Sequence, residues 1–89
     1  MRHTVHSVIK NHMSKHITAT RIQNKWTKKK MSEALDMDER SYAYLEKESS
    51  ACGIVTFVLY LLFVLKDDEW KQMLYELREQ ILTDWENQI

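Results

Sequence analysis

The stretch that decides the fold is residues 21–46, which read RIQNKWTKKKMSEALDMDERSYAYLE. Thr27 and Asp38 are good helix N-caps, because their side-chain oxygens can accept hydrogen bonds from the amides of a first helical turn. The pattern predicts two short helices, one after each cap, joined by a turn at residues 36–38. Such a pair has the size of a helix-turn-helix. Small Ser32 leaves room for close approach, and five apolar side chains would pack the two helices together: Met31, Leu35, Met37, Tyr42 and Leu45.

Outward from this segment, the spacing of apolar residues predicts three further helices. The first covers about residues 4–24. The fourth covers the apolar run at residues 54–65, after a polar loop at residues 48–52 that contains the single cysteine, Cys52. The fifth starts after Asp67 or Asp68 and extends to about residue 88. We therefore expect residues 1–89 to form one all-α domain, in which residues 67–88 form a C-terminal amphipathic helix that serves dimerisation.

The apolar run at residues 54–65 reads IVTFVLYLLFVL and has no polar face. It is too short to cross a bilayer, which takes about 20 apolar residues. A helix that is apolar on all sides is normally buried on all sides. We expect it to be the central core helix, completed by a second subunit. The fifth helix adds an apolar stripe that we assign to a homodimer interface: Trp70, Leu74, Leu77, Ile81 and Trp85.

Residues 21–46 resemble the helix-turn-helix of the phage-repressor and Cro-like family, which is lambda-repressor-like and XRE-type. The match runs from Arg21 to Glu46 without a gap. It comprises a basic residue, Arg21, at the end of the first helix, Thr27 at the start of the second, and the Leu-Glu pair that closes the third. Asp36 stands where the family usually has Gly, so a positive φ would fall on Asp, which tolerates it. Glu48 replaces another common Gly. The resemblance implies a five-helix lambda-repressor-like domain with an N-terminally extended first helix and a helix-turn-helix core at about residues 21–65.

The resemblance also implies roles for individual residues. The third helix would be the recognition helix in the major groove of double-stranded DNA. Arg21 and Glu46 match a pair that forms a structural ion pair in the family. The base-facing side chains would be Glu39, Arg40, Ala43 and Tyr44. The phosphate-facing ones would be Lys25, Thr27, Lys28 and Lys29.

The distribution of charge supports a polyanionic partner independently of the resemblance. Residues 1–30 carry eight basic residues and no acidic one, so the chain's net charge of zero divides into +8 and −8. Lys28, Lys29 and Lys30 occupy a first helical turn, where the macrodipole disfavours each cation by about 0.3–1 kcal/mol. Positive charge beside helix-terminal amides would suit a phosphate. The same pattern would also arise if the two ends attract each other within the fold, or if the lysines are simply solvated.

Composition excludes several other classes of function. One Gly and no Pro cannot build a Gly-rich phosphate loop, and one Cys excludes an internal disulfide or a Cys-based zinc ribbon. His12 and His16 stand at i, i+4, but no carboxylate or Cys nearby in the sequence completes a metal site. Cys52 has no base at a recognisable spacing and fits better as a small buried hydrophobe. We therefore expect no enzyme, metal, cofactor or small-molecule substrate.

The sequence favours a sequence-specific DNA-binding transcription regulator, a repressor that binds a two-fold operator as a homodimer. We expect the protein to be cytoplasmic and to have no membrane partner. The alternative is a protein-interaction module, antitoxin-like or antirepressor-like, on the same helices without DNA binding. The exposed face of the third helix should discriminate between them, because basic and polar residues favour DNA and acidic residues favour a protein. That face is mixed, since Glu39 stands beside Arg40.

Overall fold

The computed structural model describes the backbone of residues 2–47 and 53–87, and the side chains of residues 7–47, 53–83 and 85–87. Helices α1 (Arg2–Gln23), α2 (Lys28–Ala34) and α3 (Glu39–Glu46) are followed by α4 (Ile54–Leu59), a π-helical segment (Tyr60–Val64) and α5 (Asp67–Asn87). The described residues contain no strand, which confirms the all-α prediction. The predicted loop at residues 48–52, with Glu48 and Cys52, lies outside the described residues, as does residue 88.

Side-chain caps start α2 and α3 where the sequence predicts. Thr27 Oγ1 accepts a hydrogen bond from the Lys30 amide at 3.0 Å, and Asp38 Oδ1 accepts one from the Ser41 amide at 2.7 Å. The bond from the Ser41 amide stabilises the carboxylate and holds the pKa of Asp38 below its usual range. Each cap stabilises the fold by about 1 kcal/mol.

Helices α1 and α2 both end in a Schellman motif built without glycine. Beyond α1, the Trp26 amide donates to the Arg21 carbonyl at 3.0 Å, and Lys25 has a φ of 60°. Beyond α2, the Met37 amide donates to the Ser32 carbonyl at 3.0 Å. The φ of Asp36 is 53°, which confirms the positive φ expected there. Each motif turns the chain sharply and places an apolar side chain, Trp26 or Met37, against the core.

The left-handed conformation of Lys25 predicts that Lys25→Gly stabilises the protein by about 1 kcal/mol. Steric strain costs an L-residue roughly 1–2 kcal/mol in this region, and the extra freedom of Gly in the unfolded chain offsets part of the gain. Lys29→Gly in α2 is the matched control, because it removes the same charge from an exposed helical site and should cost up to about 1 kcal/mol. Urea denaturation measures both. Equal shifts in the two variants would contradict the assignment of strain to Lys25.

The core lies where α1, α2, α3 and the π-helical segment meet. Met13 and Ile17 of α1 are fully buried, and Met73 of α5 closes the cluster. Ser32 is also buried, and its hydroxyl donates to the Lys29 carbonyl at 2.7 Å. The apolar residues predicted to pack the helix-turn-helix all contribute, with Met37 only partly buried: Met31, Leu35, Met37, Tyr42 and Leu45.

A single chain buries only one side of residues 54–65, so the cover expected from a second subunit stays a prediction. Within that run only Tyr60, Val64 and Leu65 are buried, whereas Ile54 and Phe63 are 75% and 70% exposed. The segment also changes from α- to π-helix, and the Leu65 amide donates to the Tyr60 carbonyl at 3.1 Å. The physical reason is geometric, because the neighbouring helices cover only one side of the segment.

The apolar stripe of α5 packs partly within its own chain, and its assignment to a dimer interface stays a prediction. Leu77 is buried, and Trp70 and Leu74 pack against the core cluster. The long α1 supplies the surface along which α5 lies, so part of the stripe is already covered. Ile81 is half-buried, and only Trp85, 44% exposed, stays open among the five predicted residues. No helix among the described residues has the length and hydropathy to cross a membrane.

Candidate nucleic-acid interface

Helix α3 has one buried face and one exposed face. Tyr42 and Leu45 point into the core, while Glu39 and Arg40 are exposed and Tyr44 is 44% exposed. Ala43 is half-buried. The four residues predicted to face DNA bases therefore lie at the surface or at its margin, and the two large polar side chains, Arg40 and Tyr44, are one helical turn apart.

A lysine-rich surface lies at the start of α2, the helix that packs against α3. All four predicted phosphate contacts, Lys25, Thr27, Lys28 and Lys29, are exposed. The Thr27 hydroxyl already caps α2. Lys30 lies against Trp26, with its Nζ 4.7 Å from the ring centroid, which is a cation–π contact. Thus the charges of Lys25, Lys28 and Lys29 form the solvent-facing part of this surface.

An ion pair fixes the position of α3 on α1. Arg21 Nε donates to Glu46 Oε2 at 2.6 Å, and Arg21 Nη2 reaches Oε1 at 3.4 Å. A third bond runs from Arg21 Nη1 to the Trp26 carbonyl at 3.1 Å, so one guanidinium ties the ends of α1 and α3 to the residue just before the α2 cap. The bond to Glu46 raises the pKa of Arg21. The two residues paired from the sequence are therefore in contact.

Tyr42 is a third member of this cluster that the sequence analysis assigned only to the core. Its hydroxyl donates to Glu46 Oε2, and its burial raises its pKa above the usual range. The carboxylate of Glu46 thus accepts from two helices at once. The i, i+4 spacing of Tyr42 and Glu46 on α3 is the signal that could have revealed the bond.

A second polar cluster joins α1 to the π-helical segment. Tyr60 is fully buried, and its hydroxyl donates to Thr20 Oγ1 at 2.7 Å. His16 Nδ1 lies 2.6 Å from the Tyr60 oxygen, and the His12 ring stacks on His16 with 5.9 Å between centroids. The apolar run around Tyr60 hides this cluster in the sequence, and the one signal for it is that a buried tyrosine hydroxyl needs a partner. The described residues hold no group of three potential metal ligands.

The environment of His16 predicts that stability falls as the pH drops through 6.5. Burial lowers the pKa of His16 from 6.5 and His12 lowers it further, while Glu76 and Glu69 act in the opposite direction. The unfolded chain therefore binds a proton more readily, so the stabilisation is complete above about pH 6.5 and is lost toward the lower folded-state pKa. His16→Gln should flatten the slope of urea-derived stability between pH 5 and pH 7. An unchanged slope would assign the pH dependence to other groups.

The basic helix α1 and the acidic helix α5 pack together without an ion pair between their described side chains. Although α1 lies on α5, the ion pairs found among the described side chains are Arg21–Glu46 and the exposed Arg78–Glu79. Neither joins α1 to α5. Direct ion pairs between these helices therefore do not account for the charge division.

Comparison of the chain with models of protein families, with curated proteins and with solved structures finds no match.

Proposed function

We propose that the chain is a DNA-binding transcription regulator with a repressor-like helix-turn-helix, which binds a two-fold operator as a homodimer and catalyses no reaction. The observation that carries the proposal is that α3 is held firmly on the core and exposes its outer face to solvent. Its inner face is buried and the Arg21–Glu46 pair holds its end, while Arg40 and Tyr44 are exposed on α3 and Lys28 and Lys29 are exposed on α2, the helix that packs against it. A helix held in this way can enter a major groove while the lysines bind phosphates.

The two sets of side chains would then have different tasks. Arg40 can donate two hydrogen bonds to a guanine edge, and Glu39 can accept one from cytosine N4, so a negative charge at the groove adds specificity. Lys25, Lys28 and Lys29 would bind phosphates without regard to sequence. The charge division supports this arrangement, since the positive half of the sequence is not neutralised by ion pairs with α5 among the described side chains.

A gel shift against random duplexes, with selection and a salt series, tests the proposal. About six phosphate contacts per site predict a slope near −5 for log K against log salt, from roughly −0.9 per contact. Lys28→Ala/Lys29→Ala should reduce that slope by about two. Lys66→Ala/Lys71→Ala, which removes the same charge from exposed sites in and just before α5, should leave it unchanged. No retarded species at ~50 mM salt and micromolar protein would overturn the proposal.

A protein-interaction module is the second candidate, and the acidic residues around the turn favour it. Asp36, Asp38 and Glu39 are all exposed at the start of α3. They would repel phosphates and attract a basic protein surface. The gel shift separates the two functions, because this module would show no affinity for any duplex even at low salt.

A further inference from the structure

Five exposed apolar side chains form one face of α4 and the π-helical segment, and we call this face the α4 surface. Ile54, Val58 and Leu62 follow one another at i, i+4. Val55 and Phe63 widen the stripe. Their exposed fractions are 75% for Ile54, 66% for Val55, 42% for Val58, 68% for Leu62 and 70% for Phe63.

The α4 surface is as large as the largest apolar patches that typical monomers expose, and such patches often bind a partner. Its five side chains expose roughly 600 Å², at the upper limit of the largest apolar patch on a typical monomer. A standard protein–protein interface buries about 800 Å² per partner, so this patch together with its rim is the size of one complete interface. An apolar crevice lined by Ile9, Ile54, Phe57 and Leu77 continues the surface toward α1 and α5.

From these features we infer that the α4 surface binds the same surface of a second copy of this chain, an inference that rests on the proposed function for its two-fold requirement. No charged residue occurs between Gly53 and Leu65. A two-fold axis brings each patch against itself. Charges of one sign would then repel one another, whereas a neutral apolar patch is complementary to its own copy. A charged partner would find no opposite charge in this segment.

The location of the α4 surface also agrees with its proposed role. The buried side of the π-helical segment, at Tyr60 and Val64, belongs to the core that also holds α2 and α3. A contact through the opposite, exposed side therefore joins two cores directly. Each recognition helix would be fixed relative to the two-fold axis through packed helices, which is what a fixed spacing of operator half-sites needs. The α5 stripe offers less open apolar surface for this role, because Leu77, Trp70 and Leu74 already pack within the chain.

Sedimentation of the full chain without DNA tests the inference. Wild-type protein at tens of micromolar should sediment at twice the chain mass of 10.7 kDa. Leu62→Glu/Phe63→Glu places two like charges on each facing patch and should give a monomer, with helical circular dichroism retained because both side chains are exposed. Tyr75→Glu/Leu82→Glu is the matched control. It changes two exposed apolar side chains on α5 and should remain dimeric.

Each outcome of this experiment decides one question. A monomeric wild type would overturn the inference, whatever other molecule the surface then binds. A dimer that survives Leu62→Glu/Phe63→Glu, or that only the α5 control disrupts, would also overturn it. A dimer that the α4 variant disrupts but that binds no DNA would support the inference and refute the proposed function. A monomeric wild type that still binds single half-sites would overturn the inference and the homodimeric part of the proposed function, and would support DNA binding alone.

Discussion

Glu46→Ala is expected to lower the free energy of unfolding by up to about 3–5 kcal/mol, because that range applies to a fully buried ion pair that loses one partner and this pair is partly buried. The side chains of Arg21 and Glu46 are only 16% and 8% exposed. The substitution leaves a partly buried guanidinium without its carboxylate. It also deprives the fully buried Tyr42 of the acceptor for its hydroxyl. Urea denaturation at neutral pH measures the loss.

Two further variants separate charge from shape at this position. Glu46→Gln keeps the side-chain volume and a carbonyl acceptor, so we expect a smaller loss than for Ala. The double variant Arg21→Met/Glu46→Leu removes both charges together and should be far milder than Glu46→Ala, since no charge is then left unpaired. Strictly additive effects of Arg21→Met and Glu46→Leu would contradict an energetic coupling between the two side chains.

Features determined by neighbours in the sequence could be predicted from it. The caps at Thr27 and Asp38 depend on hydrogen bonds to amides three residues ahead. The left-handed residue at Asp36 closes a turn within a few positions. The positive φ of Lys25 is equally local but could not be predicted. No glycine marks the position, and a lysine rarely adopts a positive φ.

Features determined by the meeting of distant surfaces could not be predicted. Leu77 and Leu62 are the same residue type at apolar helical positions, yet Leu77 is 8% and Leu62 68% exposed. The difference arises because the long α1 covers α5 and leaves the far side of α4 bare. Tyr60 likewise binds Thr20 and His16, which lie 40 and 44 positions earlier. Hydropathy identifies which side chains need cover, but not which helix provides it.

The candidate site also has features that the local sequence determines and features that it does not. Since Tyr42 and Leu45 had to face inward, the 3.6-residue period already placed Arg40 and Tyr44 outward, and both are exposed or partly exposed. Exposure follows from helical periodicity, whereas the partner of an exposed side chain depends on its chemistry. Arg40 and Lys28 carry the same charge, but only the planar guanidinium offers two parallel donors to one base edge. Their substitution therefore tests the division between reading bases and binding phosphates.

Arg40→Ala is expected to weaken binding to a selected operator by about 1–3 kcal/mol, or roughly 5- to 150-fold, and to relax preference at one base pair. Lys28→Ala should instead weaken binding to all duplexes alike and reduce the salt slope by about one. Both side chains are exposed, so thermal unfolding should match the wild type and serves as the control for folding. Titration against the selected site and single-base variants measures the difference. Equal losses on every sequence would remove α3 from the role of reader, because a side chain that reads a base must lose most where that base is present.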